Sequence, residues 1–202
     1  EYNFWKFVSF ICKLLLVDPN LTLSLTDNQK STLQIELMGM AIEAYLSQKA
    51  NFFSDTFVEK GLQIISYAID GSPSLDITTP EEVLLAEAGS MISMATSSSS
   101  LGMGSLLALT IYSRYKINKS LVAAILLPYA LEDVAKYKVA QLDKIAHMLR
   151  VCGDEITGED AAKALIEYVR QKIAMANLPT RLKDLKLTIE QLSLAIEDVS
   201  QV

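Results

Sequence analysis

The stretch "GMGSLLALTIYSRYKINKS", Gly102 to Ser120, decides the fold class. It overlaps a run from Ala88 to Ser113 without a single charged side chain. Such a run is long enough to span a bilayer, which takes about 20 residues. However, it carries Ser90, Ser93, Thr96, Ser97, Ser98, Ser99, Ser100 and Ser105, and the four-serine run would sit near the bilayer centre. A buried helix pair in a core is the better reading, and no membrane partner is expected.

Outward from this run, helix signals recur and strand signals scarcely appear. Thr79-Pro80-Glu81-Glu82 reads as a helix start, with Thr79 as N-cap, Pro80 in the first turn and Glu82 placed to complete a capping box. Thr26 with Gln29 and Thr188 with Gln191 repeat the spacing. Ala162, Ile166, Val169 and Ile173 recur at helical spacing. Helices are predicted at 28–49, 54–70, 80–98, 102–115, 119–150 with a break near Pro128, 158–176 and 189–200. Only "FICKLLLV", Phe10 to Val17, suits a strand, and turn chemistry marks "DGSPS" (70–74) and "NLPTR" (177–181). The fold class is all-α.

The chain has 202 residues, half of them apolar, enough for one sizeable core. A net charge of -6 and a pI near 4.9, with no Lys/Arg cluster, give no attraction to phosphate backbones, so nucleic acid is not an expected partner. Cys12 and Cys152 are isolated, with no C-x-x-C and no histidine at ligand spacing, so neither a disulfide framework nor a zinc ribbon is supported. A reducing, cytoplasmic setting is the expectation. The opening "EYNFWKFVSFICKLLLVDPN" has no initiator Met and no signal-peptide pattern, and it reads as the middle of something longer.

The catalytic inventory is nearly empty. No G-x-G-x-x-G and no G-x-x-x-x-G-K-[ST] occurs, so this chain has no nucleotide loop of either kind. His147 is the only histidine, on a mostly polar helix face with Asp143 as its expected partner. Alone it excludes a His-x-x-x-His zinc site and the paired Glu-x-x-His of di-iron bundles. The run Ser97 to Ser100 has no elbow glycines and reads as a hydroxyl-rich helix end.

Three segments, in order, carry a resemblance. "VDPNLTLSL" with "AIEAYLSQKANFFSD" resembles D-P-E-L-T-x-S-L-P followed by H-A-I-E-A-Y-x-S-x-x-A-x-P-x-x-D. "SLGMGSLLAL" and "RYKINKSLVAAILLPYALE" resemble G-L-G-x-x-H-x-x-x-H-P-L-G-x-x-Y-x-x-P-H-G-x-A-N-A-I-L-L-P. "NLPTRLKDLKLTIEQLSLAIEDV" is similar to a closing G-I-P-x-x-L-x-x-L-G-V-x-x-x-D-I-x-x-L-A. These are patterns of the C-terminal helical domain of the iron-containing (group III) alcohol dehydrogenase family. The resemblance implies a multi-helix bundle of the dehydroquinate synthase-like type over residues 1–202, with 1–20 as a lead-in. It also implies an N-terminal nucleotide-binding α/β domain, absent from this chain, and an active cleft between the two.

In that family an Asp and three His hold Fe or Zn, which polarises the substrate oxygen for hydride transfer to NAD(P). By resemblance, the Asp falls on Glu36, the His four residues on falls on Met40, the next on Ser105 and the last on Lys119. A neighbouring substrate-side His falls on Leu109. Met40 is a poor ligand for Fe(II) or Zn(II), and a protonated Lys119 offers no lone pair. Fe or Zn is therefore not expected, nor any other cofactor in this chain; NAD(P) is expected only with the N-terminal domain.

If the fold is kept, Glu36 and Lys119 face one cavity and form an ion pair where the metal would be, while Met40 and Leu109 fill the space with apolar side chains. The resemblance then implies a metal-free relative serving as a binding or assembly module, with its own N-terminal domain and a second copy of the chain as partners. The alternative is an active NAD(P)-dependent oxidoreductase in which Lys119 acts as the electrophile. A third is a stand-alone helical interaction domain.

Overall fold

Thr26 opens the first helix through a reciprocal box: its hydroxyl accepts from the Gln29 amide at 3.3 Å, and the Gln29 side chain accepts from the Thr26 amide at 2.9 Å. In the computed structural model, which describes residues 15–72 and 77–200, the helices are α1 (Asp27–Leu46), α2 (Phe52–Asp70), α3 (Glu81–Ser98), α4 (Met103–Tyr115), α5 (Lys119–Val134), α6 (Val139–Met148), α7 (Glu159–Met175) and α8 (Ile189–Ser200). Short 3-10 turns at Pro19–Thr22 and Leu182–Leu185 complete the described residues, which contain no strand. The all-α reading holds. Of the candidate strand at Phe10 to Val17 only residues 15–17 are described, the "DGSPS" turn is described through Ser72, and Cys12 lies outside the described residues.

Two sequence expectations need correction. Thr79 does not cap α3: Pro80 is itself the N-cap, its carbonyl accepts from the Val83 and Leu84 amides, and no side chain completes a box. Pro80 is extended at ψ 146, which moves the helix start one residue on, and Glu81 and Glu82 in the first turn complement the helix dipole instead. The second concerns Pro128, which sits buried inside α5 without ending it. The break falls at 135–138, where the Tyr137 and Lys138 amides both turn back to the Val134 carbonyl. A tertiary contact holds it there, because the Lys138 ammonium donates to the Leu46 carbonyl at the end of α1.

The four-serine run is structural, as read. Ser97, Ser98 and Ser99 return their hydroxyls to the Ser93, Met94 and Ala95 carbonyls at 2.8, 2.6 and 2.8 Å, and Ser100 meets Ser47 at 2.7 Å. α3 ends within the run, at Ser98, and α4 begins at Met103. Among the described residues no helix is long and apolar enough to cross a membrane.

Packing divides into two clusters that share α5. The larger gathers Met38 and Ile42 of α1, Leu62 and Ile65 of α2, Ile92 of α3, Leu131 of α5, Leu142 and Ile145 of α6 and Leu165 of α7. The smaller joins Ile111 of α4, Val122 of α5, Leu187 just before α8 and Ala195 of α8. Each fully buried Leu or Ile contributes about 1.5–3 kcal/mol relative to exposure, so the two clusters fix α1, α4 and α5 against one another. Those three helices build the candidate site.

Candidate functional site

Glu36, Met40 and Glu43 follow one another along α1 at spacings of four and three, which puts them on one face. Glu36 is buried, its side chain 9% exposed, and the Lys119 ammonium stands 2.6 Å from its Oε1. Lys119 is the first residue of α5, just after Asn118, whose side chain accepts from the Leu121 amide at 3.0 Å. A cation at a helix N-terminus opposes the helix dipole, and the Glu36 carboxylate offsets that repulsion while Lys119 offsets the cost of burying Glu36. The expected ion pair is therefore formed.

The pair closes one end of a cavity of about 380 Å³, whose walls include Leu25, Leu33, Leu37, Met40 and Leu85. Glu36, Met40 and Lys119 are thus brought together. Ser105 and Leu109 do not line this cavity; they lie on α4, with Ser105 in its first turn. The expectation that Leu109 fills the cavity beside Met40 is not met, because α4 turns its first residues toward another side chain of α1.

That side chain is Glu43, which the sequence reading did not single out. Its carboxylate accepts from the Gly102 amide at 3.2 Å and from the Ser105 amide at 3.2 and 3.3 Å, so it caps α4 from a neighbouring helix. At Gly102 the approach requires glycine, because a Cβ there would lie 2.6 Å from Glu43 Cδ and 2.8 Å from its Cβ. Burial pushes the Glu43 carboxyl above the ordinary carboxylate range, and hydrogen bonds from Ser105, Gly102 and Gly104 partly oppose that rise. A carboxylate within the apolar "AIEAY" stripe, with two glycines at a later helix start, was the available signal.

The raised Glu43 pKa sets a sign. The folded state holds this proton more tightly than the unfolded chain does, so folding takes up a proton between the two pKa values. The stabilising contribution is complete below the unfolded value and is lost as pH rises through the raised folded value. Glu43→Gln is expected to remove this part of the pH dependence; urea unfolding midpoints from mildly acidic to neutral pH measure it. A slope unchanged in the variant would contradict the assignment.

Elsewhere, His147 Nε2 meets Asp143 Oδ1 at 3.1 Å, as expected from their spacing. Cys152, read as having no histidine at ligand spacing, instead places Sγ 4.0 Å from His147 Nδ1. Among the described residues, no group of three or more His, Cys, Asp and Glu side chains is arranged to hold a metal ion.

Comparison with known proteins agrees with this architecture. The chain is 24% identical over 179 residues to 1-propanol dehydrogenase PduQ of Citrobacter freundii, covering 85% of this chain and 48% of that protein. It is 27% identical over 149 residues to 1,3-propanediol dehydrogenase of Klebsiella pneumoniae, covering 72% of this chain and 38% of that protein. An alcohol dehydrogenase structure from Oenococcus oeni superimposes with a TM-score of 0.79 at 21% identity, over 91% of this chain and 48% of that one. The chain thus spans about half the length, or less, of the relatives it matches. With residues 33–201 matched by the model of the C-terminal part of the Fe-containing alcohol dehydrogenase family, the chain belongs to that family.

Proposed function

We propose that this chain is the helical half of an iron-type alcohol dehydrogenase-like protein in which an ion pair stands in place of the divalent metal, retained as a binding or assembly module rather than for metal-dependent redox chemistry. The observation that carries the reading is the 2.6 Å contact between Lys119 and the buried Glu36. Fe(II) or Zn(II) needs several deprotonated or neutral donors, and here the one carboxylate is already neutralised by a cation that repels a metal. Met40 and the Ser105 hydroxyl are poor substitutes for imidazole. The donor set does not fit the metal. The partners that suit this reading are the chain's own N-terminal nucleotide-binding domain and a second copy of the chain, in the cytoplasm; NAD(P) would be held by that other domain.

The second reading, an oxidoreductase using Lys119 as the electrophile, is favoured by one observation: the Lys119 side chain is 41% exposed and borders the cavity. Activity separates the two. The protein together with its nucleotide-binding domain is expected to show no NAD(P)H-dependent aldehyde reduction that rises on adding Fe(II) or Zn(II). Metal-stimulated turnover would contradict the first reading, and metal-independent turnover abolished by Lys119→Met would establish the second.

A further inference from the structure

Beyond the cavity, the end of α6 brings a thiol, an imidazole and a carboxylate into line. α6 closes with Arg150 in the left-handed region at φ 56. The Val151 amide donates to the Ala146 carbonyl and the Arg150 amide to the His147 carbonyl, each at 2.9 Å, the double bond of a Schellman turn. The chain folds back over its own last turn, and Cys152 Sγ arrives 4.0 Å from His147 Nδ1. On the far side of the ring Asp143 sets Oδ1 3.1 Å from Nε2, and this buried oxygen makes no hydrogen bond. The ring is thus flanked at its two nitrogens, by the thiol at Nδ1 and by the carboxylate at Nε2.

We propose that Cys152 and His147 form a two-donor, exchangeable site for a soft or borderline transition-metal cation, with Sγ and Nδ1 as ligands and the Asp143 carboxylate beside the other ring nitrogen. The bond lengths fit. Zinc-like distances of about 2.3 Å to sulfur and about 2.0 Å to nitrogen bridge the gap at a wide angle, leaving the remaining positions to water. A carboxylate behind a metal-bound histidine is the usual supporting arrangement. On binding, the S–H bond breaks, the sulfur–metal bond forms and the proton leaves to solvent; no oxidant or reductant is needed.

The surroundings favour a cation over thiol nucleophilicity. Burial, with the negative charges of Asp143, Glu155 and Asp154 adding to it, holds the Cys152 thiol above the usual range. The three carboxylates set a negative field at the thiol that a cation would relieve.

The test uses the whole chain with Cys12→Ser, so that Cys152 is the only thiol. Cd(II) is expected to raise a thiolate-to-metal absorption band saturating at one ion per chain, and Zn(II) to slow alkylation of Cys152 by iodoacetamide. Asp143→Asn should weaken Cd(II) binding by about 10- to 100-fold, the usual cost of removing an outer partner, and His147→Ala by at least as much. Cys152→Ser should abolish the band, while Glu36→Gln should leave it unchanged and so separate this site from the cavity. An alkylation rate unaffected by Zn(II), or a band that survives Cys152→Ser, would overturn the proposal.

Discussion

Lys119→Ala is expected to destabilise the fold by about 2–3 kcal/mol, seen as a lower urea midpoint at neutral pH. Removing one partner of a buried pair typically costs about 3–5 kcal/mol, because the remaining charge is left uncompensated. The value is discounted here because the Lys119 side chain is 41% exposed while that of Glu36 is 9% exposed, so water partly screens the pair. The loss should come chiefly from Glu36. Glu36→Gln combined with Lys119→Met should therefore recover most of the stability, and a double-mutant cycle gives the coupling. Additive effects would show that the two side chains do not act as a pair.

Gly102→Ala is the second large effect, at about 2–4 kcal/mol. The added Cβ would stand 2.6 Å from Glu43 Cγ and Cδ and 2.8 Å from Glu43 Cβ. Because Glu43 Cβ is fixed to α1, swinging the carboxylate away does not clear the contact. Either α4 moves off α1, or Glu43 gives up the Gly102 and Ser105 amides and leaves the start of α4 uncapped. Glu43→Ala removes the Cγ and Cδ contacts as well as the cap, leaving only the 2.8 Å approach to Cβ. The double variant should then be less destabilised than the sum of the two single ones, with midpoints of chemical unfolding as the measure. A single Gly102→Ala variant as stable as the parent would mean that the close approach is not a constraint.

What was legible in the sequence follows the range of each interaction. The capping boxes at Thr26 and Thr188 were readable because donor and acceptor are three residues apart, and both form. The Thr79 box has the same letters yet does not form, since Pro80 is already extended when α3 begins. The break between α5 and α6 was misplaced at Pro128 because proline is a local signal, whereas the break is held by Lys138 reaching the end of α1.

At the site, Glu36 and Lys119 could be joined only through the family resemblance, since nothing local links two residues so far apart in the chain. Glu43 went unread because a lone carboxylate in an apolar stripe declares no partner. The contact between His147 and Cys152 escaped notice for another reason: residues five apart do not share a helix face, and only a left-handed Arg150 brings them together.

The central claim, that Glu36 and Lys119 occupy the place of a divalent cation, meets its most direct test in metal content. The chain with Cys152→Ser and His147→Ala, which removes the proposed soft-cation site, would be purified with Fe(II) and Zn(II), analysed for bound metal and melted with and without added ion. A parallel variant carrying Glu36→Asp, Met40→His and Lys119→His, all on the cavity wall, would serve as the comparison with restored donors. The account predicts a negligible fraction of an ion per chain and an unchanged Tm unless the donors are restored. Stoichiometric metal with a raised Tm in the chain that keeps Glu36 and Lys119 would contradict it.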